Sequence, residues 1–197
     1  MRKKNSLRSY ILIILMLLFF YGPIIMTIIF SFNNSRSLTS WSGFSLQWYE
    51  KLWNDNSMMA AVRTSLIIAL ISTFVSTIVG TLTAIGLSSH KKIVRKLFSF
   101  VNNIPVMNPE IVTAIGFMLL FASIPMLEKG FMTLLIAHIT FSTPYVILTV
   151  LPKLRSLDPS LADAAMDLGA TPRQALTKVM VPQIMPGIFS GALIAFT

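Results

Sequence analysis

Apolar residues along this chain gather into long runs parted by short polar stretches. Four runs are long enough to cross a bilayer: Tyr10 to Phe32, about Thr64 to Leu87, about Ile111 to Leu127, and Phe131 to Leu151. A helix rising about 1.5 Å per residue needs roughly 20 apolar residues to cross about 30 Å of hydrocarbon. A fifth run starts at Ile184 and reaches Thr197, where the sequence stops. A helix ending in mid-bilayer would leave its last carbonyls without partners, so the expectation is a C-terminally truncated chain. Its missing tail would complete the fifth helix and add at least one more. The predicted fold class is all-α, a polytopic membrane helix bundle forming one transmembrane domain over residues 1–197.

Composition agrees with this pattern. The chain is 54% hydrophobic and 12% charged, with a mean hydropathy of +0.74, and a water-soluble domain carries about twice that share of charge. The net charge of +9 invites a nucleic-acid reading, but the placement of the basic residues excludes it. Arg2, Lys3, Lys4 and Arg8 precede the first run. Lys91, Lys92, Arg95 and Lys96 follow the second, and Lys153, Arg155, Arg173 and Lys178 follow the fourth. The alternate loops hold only Arg36, Lys51, Arg63 and Lys129. This asymmetry is the positive-inside pattern, and it predicts a cytoplasmic N-terminus and a cytoplasmic 152–182 loop. The first run is too long for a signal-peptide core and lacks a small-x-small cleavage site, so it is expected to be retained. The sequence holds no cysteine and therefore no disulfide framework.

Several positions within this frame are candidates for function. The outside loop from Asn33 to about Met59 carries Trp41, Trp48 and Trp53, whose amphipathic rings suit the membrane interface; Trp41 or Trp48 could also face a ligand entering the pathway. Ser72, Ser76, Gly80 and Ala84 recur every four residues, and Gly187 and Gly191 repeat the device, predicting close helix contacts. Pro105, Pro109 and Glu110 stand where the third run begins. An acid there suits the helix dipole, yet a carboxylate at membrane depth is costly unless it faces a cavity or a cation, which makes Glu110 the first pathway candidate. Pro144 should bend the fourth helix, and Tyr145 beside it could line a cavity with Phe141. His138 has no second ligand at metal spacing and reads as a packing residue.

The 152–182 loop has the clearest punctuation. Asp158 is expected to cap a helix with Pro159 in its first position. Leu161, Ala164, Ala165 and Leu168 form one apolar face, and Gly169 ends the helix in a left-handed cap. Thr171, Pro172 and Gln174 start a second short helix with a capping box, which Pro182 should separate from the next span. The face is small and alanine-rich, unlike a lipid-buried face, so it suits a protein groove. Asp163, Asp167 and Arg173 supply the rim.

Within this loop Asp163-Ala164-Ala165, three residues, Gly169, nine residues and Val179-x-Val181-Pro182 resemble the EAA motif of the permeases of binding-protein-dependent ABC importers. That pattern is Glu-Ala-Ala, three residues, Gly, nine residues, Ile-x-Leu-Pro, so the spacing is intact. The segments Ser31-Phe32-Asn33, Trp41-Ser42-Gly43-Phe44, Pro109-Glu110-Ile111-Val112 and His138-Ile139-Thr140-Phe141 are similar to those of the polyamine (spermidine/putrescine) members. The resemblance implies a type I importer permease bundle in the bacterial cytoplasmic (inner) membrane. It implies ATPase docking through Asp163, Ala164, Ala165, Leu168, Gly169, Ala170 and Pro182, and a substrate pathway near Glu110, Trp41, Trp48 and Tyr145. The implied partners are a cytoplasmic ATP-binding subunit dimer, a second permease subunit, an extracytoplasmic substrate-binding protein and the lipid bilayer. ATP and Mg would sit on the ATPase, because this sequence has no phosphate-cradling Gly-x-x-x-x-Gly-Lys loop and no nucleophile-base pair. Alternatives are a family member carrying a metal, oxyanion or sugar, or an ion-driven secondary transporter. The latter would normally show intramembrane acids or broken helices, and here the sequence offers only Glu110.

Overall fold

The computed structural model describes residues 6–125 and 129–197, and all the regular elements among them are helices. The chain divides into two compact units, 1–63 and 64–197. Arg2, Lys3 and Lys4, and Leu127 at the expected end of the third run, lie outside the described residues.

In the first unit, α1 (Ser6–Ser31) is membrane-length, and no residue of its most apolar window is buried. The loop that follows is not the open connection its mixed composition suggests. Asn33 is fully buried and organises it: Nδ2 donates to Ser35 Oγ (3.2 Å), Ser37 O (2.9 Å) and Ser40 O (2.8 Å), while Oδ1 accepts from the Ser42 amide (2.8 Å). A buried amide is retained only when its hydrogen bonds are made, and here each end of the side chain has partners. A short helix, α2 (Gln47–Asn54), then runs to the start of α3 (Asn56–Ser88).

The second unit is built around α6 (Phe131–Arg155), with α3 and α9 (Val181–Phe196) against it. Along α3 the expected seam is present, with Ser72, Ser76, Gly80 and Ala84 all buried. A Cβ added at Gly80 would stand 2.7 Å from Val146 Cβ, so the two helices meet almost backbone to backbone. Gly191 does the same on the other side, where a Cβ would lie 3.1 Å from Val146 Cα. Small residues at both crossings let α6 gain dispersion contact and carbonyl proximity where lipid offers no hydrophobic drive between helices. The remaining core, Ala84, Leu87, Ile147, Val150, Leu151, Leu154 and Ile184, continues these crossings toward one end. α6 runs as one helix through Pro144.

Two expectations about the membrane-length helices fail. The third apolar run is not one span but the second half of a broken pair, α4 (Lys92–Met107) and α5 (Glu110–Ala122), set at 100°. At 13 residues, α5 is about 20 Å long and too short to cross by itself. The break has a local cause: Pro109 excludes the helical region for the residue before it, and Asn108 is extended at φ −82°, ψ 143°. The basic start of α4 made its sequence look like loop. Its Asn102, buried among apolar neighbours, donates from Nδ2 to Pro144 O of α6 (3.2 Å) and ties the element down.

The second failure concerns Pro182. It does not separate two helices, for a single helical course runs from Pro172 to Phe196. α8 (Pro172–Gln174) passes into a π-helical turn, Ala175–Met180, and then into α9. The wider i→i+5 turn places an irregular stretch of backbone just where proline's missing N–H would otherwise break the ladder.

Candidate functional site

The 152–182 loop connects α6 to α8 through α7 (Leu161–Asp167). The first cap differs from expectation. Asp158 and Pro159 precede the helix in a turn, with Ser160 in the N-cap position. Asp158 Oδ1 accepts from the Ser160 amide (2.9 Å) and hydroxyl (2.7 Å), and Leu161 N donates to Asp158 O (3.1 Å). An Asx-type turn satisfies its own backbone two residues on, which competes with a true N-cap at the same residue. Those hydrogen bonds to Ser160 hold the exposed Asp158 carboxyl below its ordinary value.

The other end of α7 follows the sequence. Gly169 has φ +88°, its N–H donates to Met166 O (2.9 Å), and the Ala170 N–H donates to Ala165 O (3.1 Å). This is a Schellman closure, which needs a residue tolerant of left-handed backbone at its first position outside the helix. The Thr171–Gln174 capping box is also formed, by Thr171 N to Gln174 Oε1 (2.9 Å) and Gln174 N to Thr171 Oγ1 (3.3 Å). Between these two fixed ends, Asp163, Ala164 and Gly169 are exposed, Ala165 and Ala170 are half-buried, and Leu168 stands 91% exposed. Pro182 is exposed on α9. A leucine held almost wholly outside by a rigid cap is an apolar knob available to a partner.

Glu110 occupies the first turn of α5, with Pro109 in the N-cap position. It lines a cavity of about 520 Å³ with Phe117, Phe121, His138 and Phe141, and Lys129 contributes to the same lining. Glu110, His138 and Phe141 also line a second cavity, of about 540 Å³, that takes in Tyr145, Ser142 and Ser72. The fold thus brings Glu110 and Tyr145 to one cavity, and it adds His138 and Phe141. The ring of His138 is held by Nδ1 against Leu134 O at 2.8 Å, one turn back on its own helix. Broken helices with a polar group at the break are a recurring way to line a pathway in membrane proteins.

Trp41 and Trp48 belong to the first unit. Trp48 is engaged: its Nε1 donates to Asn33 O (2.8 Å), and Arg36 and Lys51 sit 5.5 and 4.6 Å from its ring centroid. Trp41 is half exposed, edge-on to Phe30 at 6.1 Å. Sequence reasoning missed the Asn33 hub and α4. The Asn33-Asn34 pair ahead of Ser35, Ser37, Ser40 and Ser42, and the Asn102-Asn103 pair between apolar residues, were the available signals.

Membrane-length helices, with a cavity lined by Glu110 at a helix break, mark a multi-pass membrane protein. Residues 76–197 match the family described as binding-protein-dependent transport system inner membrane component, and the chain belongs to it. It is 38% identical over 193 residues to the putrescine transport system permease protein PotI of Escherichia coli K12, covering 95% of this chain and 69% of that protein. It is 38% identical over 179 residues to the spermidine/putrescine transport system permease protein PotC of Haemophilus influenzae, covering 91% and 69% respectively. Among solved structures, it resembles a bacterial alginate ABC transporter in complex with an alginate pentasaccharide-bound periplasmic protein. The TM-score is 0.70 over 94% of this chain and 69% of that one, at 18% identity, a likeness of fold. Family membership sets the ion-driven alternative aside, even though α4 and α5 supply the broken helix such a transporter would show.

Proposed function

We propose that this chain is a permease subunit of an ABC importer that takes up polyamines such as spermidine or putrescine across the cytoplasmic membrane. The observation that carries this reading is the doubly capped loop Leu161–Gln174, which holds a small-residue face and one exposed leucine in fixed geometry, together with polyamine permeases among the relatives. The loop lies in the cytoplasm with the N-terminus. It docks through Asp163, Ala164, Ala165, Leu168, Gly169 and Ala170 into a groove of an ATP-binding subunit, with Pro182 at the start of the attached span. ATP and Mg reside on that subunit, one of a dimer. A second permease subunit completes the pathway, and an extracytoplasmic binding protein delivers the substrate.

The chain performs no covalent chemistry in this scheme. ATP-driven closure of the ATPases moves α7, and α6 and α9 carry that motion to the cavity lined by Glu110 and Tyr145. Coupling requires that ATP and substrate favour different states of the pathway. Glu110 supplies the counter-charge for an ammonium group, and the aromatic walls supply cation–π faces for the next. Trp41, the more accessible of the two candidates Trp41 and Trp48, is the better placed of them to meet an incoming cation.

Gly169→Asp tests docking. A charged side chain on a left-handed backbone breaks the Schellman closure and the contact face together. The loss is expected at about 2 kcal/mol or more, roughly thirtyfold in ATPase affinity. Recruitment of the ATPase to membranes by the variant is the measurement, with membrane insertion as the control. Normal recruitment and ATP-dependent uptake in an inserted variant would remove the docking assignment.

A further inference from the structure

A smaller cavity, of about 300 Å³, opens where the last residue of α3, the start of α4, the end of α6 and the docking loop meet. Arg95 of α4 and Arg155 of α6 line it above an apolar floor of Leu154, Leu157 and Met180. Leu154 is buried, and Leu157 and Met180 pack against the same core cluster, so the floor is fixed. Asp158 is on the lining too, and its Oδ1 accepts from the amide and the hydroxyl of Ser160; those hydrogen bonds, not an arginine, hold its carboxyl below the ordinary value, so its charge offsets one of the two arginines and not both. Two arginines against one aspartate on the lining leave the cavity with a net positive charge, which favours an anion there.

The depth of the cavity narrows the choice of anion. Ser88 ends α3 and Arg155 ends α6, and both are membrane-length helices, so the cavity lies where hydrocarbon gives way to headgroups. Lys91, Lys92 and Lys96 flank it along the chain. Forked guanidinium groups match phosphate oxygens in pairs, and basic pockets between transmembrane helices take lipid headgroups.

We propose that this cavity binds the phosphate of an anionic phospholipid, with Arg95 and Arg155 on the phosphate and Leu154, Leu157 and Met180 against the glycerol and first methylenes. The lipid then clamps α4 to the root of the docking loop, because Leu157 and Met180 flank α7 on either side in the chain. Only the choice of leaflet rests on the function proposed above.

The test is native mass spectrometry of the purified full chain from nanodiscs containing equal phosphatidylglycerol and phosphatidylcholine of matched acyl chains. The wild type is expected to retain phosphatidylglycerol about tenfold over phosphatidylcholine. Arg95→Gln with Arg155→Gln should abolish the preference, whereas Lys92→Gln with Lys96→Gln, which removes equal charge outside the cavity, should keep it. Arg95→Lys with Arg155→Lys retains charge but not the fork, guards against a folding failure, and should lower the preference severalfold. Equal loss in the lysine control, no preference in the wild type, or displacement of the lipid by inorganic phosphate that itself stays bound would each overturn the assignment. No ATPase or substrate takes part, so a negative result leaves the transport reading standing.

Discussion

Single atoms decide the closest contacts in this protein. Gly80 and Gly86 lie on the same helix, but a Cβ at Gly80 meets Val146 at 2.7 Å while one at Gly86 meets nothing within 4 Å. Gly80→Val should therefore cost about 1–3 kcal/mol through forced displacement of α6, and Gly86→Val should cost little. Both changes alter helix propensity equally, so the difference in unfolding midpoint in mild detergent isolates the contact. Glu110 is exposed to its cavities and carries the charge for which the proposed substrate class is complementary. Glu110→Gln should reduce polyamine uptake efficiency about 10–100-fold while leaving leak of neutral solutes unchanged. Unchanged uptake kinetics would return Glu110 to the role of a favourable charge at a helix start.

At the scale of elements, the loop that carries α7 has a pH signature. Asp158 is held below its ordinary carboxyl value, so its contribution to the turn before α7 is fully present above the unfolded value of 3.8. It is lost as pH falls through the lower folded value. Hydrogen exchange at the Ser160 amide, corrected for intrinsic rate, should lose protection only on the acid side of about pH 4. In Asp158→Asn it should be flat across that range, and an unchanged acid transition in this variant would assign it to another group.

Elements also separate what was legible in the sequence from what was not. The left-handed cap at Gly169 and the Thr171–Gln174 box were readable because each depends on residues within four positions. The small-residue seam of α3 was readable because its period is that of the helix. The break between α4 and α5 was not, since the same Pro109 that excludes helix at Asn108 also makes a good first turn, and hydropathy averages across it. Nor was the π turn before Pro182 readable, because a proline normally marks a boundary and only the surrounding helix course shows the boundary absorbed. Of the candidate pathway residues, the fold unites Glu110 with Tyr145 through a bundle geometry that no local pattern encodes.

For the whole molecule, the distribution of basic residues predicts a sidedness. The absence of cysteine from the sequence makes it simple to check. Leu38→Cys places a thiol at a 72% exposed position in the first loop, and Ser156→Cys places one just after α6. An impermeant maleimide should label the first in intact cells and the second only after permeabilisation. The reverse result would invert the topology and remove the proposed docking of this loop to a cytoplasmic ATPase.

The crossings at Gly80 and Gly191 have a mechanical corollary. Ordinary helix pairs slide because a layer of side chains can swap rotamers between them, but here Val146 is pinched between two bare stretches of main chain. With no such lubricating layer, α3, α6 and α9 are expected to tilt as a single plate. A push delivered at one rim would then be felt at the other.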